Sequence, residues 1–320
     1  MGLQCETAME RLDRIESYSS AKGTVLTIGT FDGVHIGHKK IINELVEEAK
    51  NKDLNACLLT FSPHPREVLQ KDTGIKMLST LEEKSHRLEE LGLDVLVVHP
   101  FSKDFSRLTA REYVEDILVK QLKVKHLIVG YDHRFGRNRE ADIVDLHYFA
   151  KRFDFAITEI EAQDVDDVAV SSTKIRNALS EGAVHKANQY LGYRYSISGK
   201  VAKGKGLGRT IGFPTANIED IDPKKLLPAN GVYIISTNIE GRLIKGMMNI
   251  GQNPTVASGG LHVEVHLFDF ESDLYDRPIQ IEFYKRLRSE KRFESLEALS
   301  AQLKDDQSTT LKFFKEGLLF

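Results

Sequence analysis

Residues 24–49 read TVLTIGTFDGVHIGHKKIINELVEEA, and this stretch decides how the first half of the chain folds. A short apolar run breaks at Gly29, passes through Thr30-Phe31-Asp32-Gly33-Val34 and reaches His35-Ile36-Gly37-His38. From Lys39 the spacing of Ile41, Ile42, Leu45, Val46 and Ala49 predicts a helix with one apolar stripe. A buried strand, a glycine-rich turn and a helix start bring backbone N–H groups and the positive end of a helix dipole to one point, a place to hold phosphates. His35 and His38 are three residues apart, so both can face one side. Gly37 between them lets a ligand approach the backbone. An imidazole there can donate a hydrogen bond, or carry a proton, toward charge that grows during a reaction. The plainer alternative is two loop histidines satisfied by local hydrogen bonds. Their position after the strand and turn favours the phosphate site.

Outward from this stretch, apolar runs at 25–28, 56–61, 95–98, 126–129 and 155–160 alternate with helical patterns. Thr80-Leu-Glu-Glu83 and Thr109-Ala-Arg-Glu112 each fit a capping box. Continuous apolar strands alternating with helices predict an α/β, doubly wound parallel sheet. Ligands in such folds sit at the carboxyl ends of the strands. Three marked segments follow strands there. Thr60-Phe61-Ser62-Pro63-His64-Pro65-Arg66 is a loop stiffened by two prolines, either a pocket wall or a plain turn. Residues 130–139, GYDHRFGRNR, hold three arginines with aromatics among them, suited to phosphate or ring stacking or else to exposed charge. Ser171-Ser172-Thr173-Lys174-Ile175-Arg176 opens a helix that stops at Gly182. Lys174 and Arg176 stand at the positive end of that helix dipole, a cost that a bound anion would offset.

Near residue 187 the texture changes to short runs, frequent glycines and period-two alternation, so the boundary is placed between residues 1–186 and 187–320. Glu240-Gly241 reads as a hairpin turn. In the segment 261–270, Leu261, Val263, Val265 and Leu267 share one face, and His262, Glu264 and His266 share the other. Several antiparallel strands in a short length predict a small closed β-barrel, followed by a helix over 295–304. Residues 199–217, GKVAKGKGLGRTIGFPTAN, pass close to Walker A spacing, but Gly206 stands where Ser or Thr is needed. Arg286, Arg288 and Arg292-Phe293 either close over a substrate or are solvated charge.

Composition excludes several classes. A net charge of −3 over 320 residues gives no general demand for nucleic acid. Cys5 and Cys57 are too few for a disulfide framework or a zinc site, and Cys57 sits in an apolar run as a small buried hydrophobe. No apolar run approaches the roughly 20 residues that span a bilayer. The expectation is a cytoplasmic protein without membrane or nucleic-acid partners, monomeric or a weak homo-oligomer.

The motifs also carry a resemblance. GTFDGVHIGH resembles the HxGH motif of nucleotidylyltransferases in the form found in FAD synthetases, and SSTKIR resembles the SSTxIR motif of the same superfamily. TFSPHP is similar to their flavin-lining TFxPHP segment, and 130–136 to G-x-D-F-x-F-G, with His133 where Phe is commoner and Ala141 where glycine is usual. GKGLGRTIGFPTAN and EVHLFDF resemble the ATP loop, magnesium segment and base-bearing strand of riboflavin kinases. The chain thus resembles the bacterial bifunctional riboflavin kinase/FMN adenylyltransferase family. That resemblance implies ATP as co-substrate, Mg²⁺ as cofactor, and riboflavin, FMN and FAD as substrates and products. It implies His35, His38, Arg176 and Glu264 as catalytic residues, and Thr215 and Asn217 at the metal. ATP contacts fall on Gly29, Phe31, Asp32, Ser172, Thr173, Gly204, Lys205 and Gly206. Flavin contacts fall on Phe61, Pro63, Pro65, Asp132, Phe135 and Arg286. Two other readings stay open: a riboflavin kinase whose first half only binds flavin, and a non-catalytic flavin sensor. Intact HxGH, SSTxIR and PTAN motifs and Glu264 weigh against the sensor, which needs neither a base nor a metal.

Overall fold

The computed structural model describes residues 8–69, 74–130, 134–160, 164–165, 168–203, 207–252, 261–270 and 272–317. Packing divides the chain into two compact units, Met1–Val170 and Ser171–Phe320.

In the first unit six strands form one sheet: β1 (Glu10–Leu12), β2 (Thr24–Ile28), β3 (Asn55–Phe61), β4 (Val95–His99), β5 (Val124–Gly130) and β6 (Ala156–Ile160). Their order is β1-β4-β3-β2-β5-β6, and every pairing is parallel. A short antiparallel ribbon, β7 (Asp164–Val165) with β8 (Val168–Ala169), follows. The helices are α1 (Ile36–Asn51), α2 (Pro65–Leu69), α3 (Leu81–Glu90), α4 (Ala110–Glu112) and α5 (Ile143–Phe153). Both predicted capping boxes form, Thr80 with Glu83 and Thr109 with Glu112. After α4 the helix widens to a π-helix over Tyr113–Gln121, where Leu122 N–H reaches back to Ile117 O.

Alternation along the strands explains why the runs are apolar throughout. Val25, Leu58, Leu96 and Ile128 pack with Ile42 and Leu45 of α1 and Leu88 of α3. Their neighbours Leu26, Cys57, Leu59 and Leu127 pack on the other face with Val114, Leu118, Leu146 and Ala150. Both faces are covered, so the predicted doubly wound sheet is what forms. Cys57 is fully buried, and burial pushes its thiol far above the usual range. β1 has no apolar signature, since Glu10-Arg11-Leu12 is an edge strand with little buried surface. The strand order reverses between β2 and β5, so the loop after β2 stands at the switch point where α/β sheets bind ligands.

The second unit opens with α6 (Ser172–Ser180) and α7 (Val184–Leu191). Six strands then close an antiparallel barrel: β9 (Ser196–Ala202), β10 (Ala216–Glu219), β11 (Gly231–Ile239), β12 (Arg242–Gln252), β13 (Leu261–Leu267) and β14 (Pro278–Arg288). A short α8 (Leu207–Thr210) precedes β10, and α9 (Leu296–Lys315) ends the fold. Glu240 and Gly241 both take positive φ, the type I′ geometry that a two-residue hairpin needs.

Packing sets the unit division at 170/171, ahead of the 186/187 boundary read from texture. Ala229 N–H donates to Leu179 O of α6. Asn188 of α7 donates to Phe283 O and accepts from Tyr195 N–H, each at 2.8 Å, so both helices are bonded to the barrel. The last helix is longer than the predicted 295–304. Its inward stripe continues through Asp306 and Thr310, which are buried but polar and so broke the apolar pattern. Asp306 accepts a bidentate pair from Nε and Nη2 of Arg288, and the Thr310 hydroxyl donates to Asp306 O.

Candidate active sites

At the carboxyl end of β2 the loop 29–35 is held in an unusual conformation. Phe31 and Val34 have φ of 45° and 37°, values that bulky residues keep only when their surroundings impose them. Asp32 supplies much of that constraint. Its buried carboxylate accepts from Leu78 N–H and Ser79 N–H at 3.0 and 3.2 Å, and the Ser79 hydroxyl accepts from Gly33 N–H at 3.1 Å. Asp32 therefore ties the loop to segment 78–79. Loss of one such charge-assisted anchor in a buried setting costs about 1–3 kcal/mol. Asp32→Asn is expected to lower the thermal midpoint, which a melting curve of the variant against the parent checks.

The loop delivers a stack of three rings. Phe31 lies 4.5 Å from His38, and His38 lies 3.6 Å from His35 at an interplanar angle of 17°. His35 caps α1, and its Nδ1 accepts from His38 N–H at 3.4 Å. Nε2 of His35 therefore carries the proton in the neutral ring. Burial holds His35 down at about 4, and burial, then His35, then Lys84 hold His38 well below the usual histidine range. Burial thus favours the neutral form of both rings. His38 Nδ1 is buried and has no hydrogen-bond partner among the described residues. A ligand oxygen that satisfied it would remove a cost of about 1–3 kcal/mol.

This burial has a consequence for stability. Both histidines have depressed folded-state values, so the unfolded chain binds more protons at mildly acid pH. Their contribution is complete above about 6.5, the unfolded value. For His35 it is lost as pH falls toward about 4, at up to about 1.4 kcal/mol per pH unit. Urea unfolding at pH 7.5, 6 and 5 should show stability falling with pH, and His35→Asn should flatten that slope.

Beside the stack a row of aromatic rings crosses the carboxyl ends of β3 and β4. Phe61 contacts Phe101 and Phe105, each at 5.4 Å. Phe105 then meets Tyr113 at 6.1 Å, and Tyr113 meets Phe135 at 5.9 Å. Pro63 is exposed and Pro65 starts α2, so both follow Phe61 in the loop that leaves β3. Phe135 is buried and pairs through its backbone with Ala141. Asp132 lies outside the described residues.

In the second unit a cavity of about 320 Å³ lies between the barrel wall, segments 208–215 and 288–293, and α9. Strand register places its polar wall. Asn217 of β10 stands opposite Glu264 of β13, which stands opposite Asn249 of β12. Val232 of β11 and Arg288 of β14 continue the row. Residues paired directly across a ladder share a face. Glu264 is bonded to His262 Nε2 at 2.6 Å, and His266 Nδ1 lies 2.7 Å from Pro214 O. Asn217 donates to Lys203 O, and its Oδ1 is buried without a hydrogen-bond partner among the described residues. Thr215 lines the cavity two residues before it. Gly204, Lys205 and Gly206 lie outside the described residues.

The cavity wall depends on one close backbone approach. A Cβ on Gly208 would lie 2.1 Å from Phe213 O. The Phe213 N–H to Gly208 O bond of 2.8 Å holds the two backbone segments at this close approach. Gly208→Ala is expected to distort this wall and lower the thermal midpoint of the chain, which a melting curve tests.

Arg286 does not line this cavity. Its guanidinium packs against Gly182 and Gly231 and donates to Asn230 O. Arg288 and Phe293 do line it, with the Arg288 guanidinium 5.7 Å from the Phe293 ring centre. Ser172, Thr173 and Arg176 occupy the first turns of α6 in the second unit, where Ser171 caps the helix by accepting from Lys174 N–H.

Comparison with known proteins bears on both units. Residues 17–174 match the FAD synthetase family model, and residues 191–314 match the riboflavin kinase model. The chain is 40% identical over 299 residues to the bifunctional riboflavin kinase/FMN adenylyltransferase of Escherichia coli K12, covering 93% of this chain and 95% of that one. It belongs to this family. The Listeria monocytogenes member is 38% identical, with 91% and 92% of the two chains covered. A crystal structure described as a macrolide-efflux protein from Streptococcus pneumoniae is similar, with a TM-score of 0.87, 28% identity, and 95% and 99% of the chains covered. Among the described residues no helix is long and apolar enough to cross a membrane. As a family member the chain is a riboflavin kinase and FMN adenylyltransferase, with ATP, riboflavin, FMN and FAD as its small molecules.

Sequence reasoning missed several residues that the bifunctional enzyme's fold brings to these sites. His262 was visible only as one member of an alternating face. Phe101, Phe105 and Tyr113 come from three separate segments, so no local motif joins them. Met247 reaches the cavity through strand register. Lys84 sat in a helical pattern as an ordinary charge, yet it is buried.

Proposed function

We propose that the parallel-sheet unit transfers AMP from ATP to FMN at the His35–His38 stack, and that the barrel phosphorylates riboflavin at Glu264. In the first reaction an oxygen of the FMN phosphate attacks the α-phosphorus of ATP, the bond to the β-phosphate oxygen breaks, and pyrophosphate leaves. The attacking phosphate is already anionic, so no base is needed. Neutral His35 and His38 donate hydrogen bonds as charge builds on the triphosphate. Half-buried Phe61 offers flat apolar surface for the flavin rings, with buried Tyr113 and Phe135 supporting the row from the core.

In the second reaction the primary hydroxyl of riboflavin attacks the γ-phosphorus of a second ATP, and ADP leaves. Glu264 takes the hydroxyl proton, with His262 fixing the orientation of its carboxylate. The donor set fits magnesium: the orphaned Asn217 Oδ1 and the Thr215 hydroxyl are the oxygen ligands it prefers. When bound, the ion would neutralise phosphate charge. Asn217 is held for that role by its own bond to Lys203 O.

One observation carries this division of labour. Each unit buries a polar atom that lacks a partner among the described residues and suits its ligand: an imidazole nitrogen for a phosphate oxygen, and an amide oxygen for a cation. Incubating the purified chain with riboflavin, Mg²⁺ and ATP and separating the flavins tests it. FMN should appear first, then FAD with pyrophosphate, and chelation should stop riboflavin phosphorylation. Accumulation of FMN alone would support the single-activity reading, and no turnover would support the sensor.

A further inference from the structure

We infer that Lys84 is a positioning residue for the adenylyl-transfer site, setting the geometry of the histidine stack through the carbonyl of Thr30 and the hydroxyl of Thr60. This rests on the role proposed above for His38. Lys84 lies on α3, and its residue is only 7% exposed. An ammonium in that position is costly unless its donors are satisfied and a counter-charge is near. Its Nζ donates to Thr30 O and to Thr60 Oγ1, each at 3.1 Å, and Thr60 Oγ1 donates to Thr30 O at 3.3 Å. These three atoms form a closed triangle that joins α3, the end of β3 and the loop after β2.

Thr30 O is the last backbone acceptor before the left-handed Phe31. Fixing that carbonyl by two donors fixes the peptide plane that leads into Phe31, whose ring stacks on His38, which in turn stacks on His35. Asp32 from the same loop is the counter-charge that favours the ammonium, and Arg11 opposes it. Burial is the larger influence and brings Lys84 down to about 8, so the cation is retained at neutral pH. Its charge also falls on His38, where it disfavours the imidazolium. Lys84 thus has two effects on the stack, one geometric and one electrostatic, without being placed against substrate.

The test uses the full chain with Lys84→Met, Thr60→Val and the double variant, with His38→Ala as a control. Lys84→Met should lower kcat for FAD formation from FMN on the order of 10- to 100-fold, the scale expected when reacting groups are misplaced by about 1 Å. The riboflavin kinase rate of the same chain should be unchanged. Thr60→Val should have a smaller effect, and the double variant should be no slower than Lys84→Met, because both substitutions break one triangle. The loss in Lys84→Met should fall on kcat with the KM values little changed, and Lys84→Arg, which keeps the charge and the donors, should recover part of it, a pattern that simple loss of packing would not produce. Wild-type FAD formation in Lys84→Met, with His38→Ala inactive, would overturn the inference while leaving the site intact. Should Lys84→Met fail to fold, additive losses from Thr60→Val and Lys84→Arg would overturn it equally. Retained activity in His38→Ala would instead remove the site on which the inference depends.

Discussion

His38→Ala is expected to lower FAD formation from supplied FMN on the order of 10²–10³-fold, the usual cost of removing one preorganised donor from developing charge. The ring is the middle member of the Phe31–His38–His35 stack, so its loss removes a donor and leaves His35 without its neighbour. Riboflavin should still be phosphorylated, so FMN should accumulate when riboflavin and ATP are supplied. The neutral state of the rings makes the prediction more specific. Their protonation is suppressed by burial, so His38→Lys, which restores a cation but not a flat donor, should not recover activity. Measuring FAD and FMN by chromatography after single turnovers separates these outcomes. Normal FAD synthesis by His38→Ala would remove the stack from the mechanism.

The complementary loss is expected from Glu264. Glu264→Ala should slow riboflavin phosphorylation on the order of 10²–10⁴-fold, the range attributed to a positioned general base. Conversion of supplied FMN to FAD should continue. Glu264 faces Asn217 and Asn249 across the ladder and is bonded to His262, so Glu264→Gln should preserve much of the local hydrogen bonding and still lose the base. Similar rates for Glu264→Gln and the parent would show that the carboxylate only positions its neighbours. His262→Ala should give a smaller loss, since it removes the orienting partner and keeps the base.

The architecture was legible because its signals are local. Runs such as 56–61 declare buried parallel strands through uninterrupted apolarity, and Thr80 with Glu83 declares a helix start through four residues. The His35–His38 pair and residues 215–217 stand out in the sequence for the same reason, each lying within one short segment. Long-range consequences were not. The loop's dependence on Asp32 is a set of bonds to residues 46 and 47 positions away, and Lys84 reaches back 54 residues to Thr30. The aromatic row and the polar row of the barrel arise from topology and register. The extent of α9 was hidden because Asp306 and Thr310 occupy inward positions that a hydrophobic pattern would assign to apolar residues. Arg286 shows the reverse case. It reads as a substrate contact beside Arg288, and its side chain packs at the Gly182 turn, outside the lining of the barrel cavity.

The two halves of one chain carry two separate chemistries, with FMN as the product of one and the substrate of the other. Mixing the His38→Ala and Glu264→Ala chains tests this most directly. Each variant alone, given riboflavin, Mg²⁺ and ATP, should make little or no FAD. The mixture should make FAD at a rate that rises with the concentration of either partner, because FMN released by the intact barrel reaches the intact histidine stack. A mixture that makes FMN and no FAD, although the Glu264→Ala chain converts supplied FMN, would contradict the account.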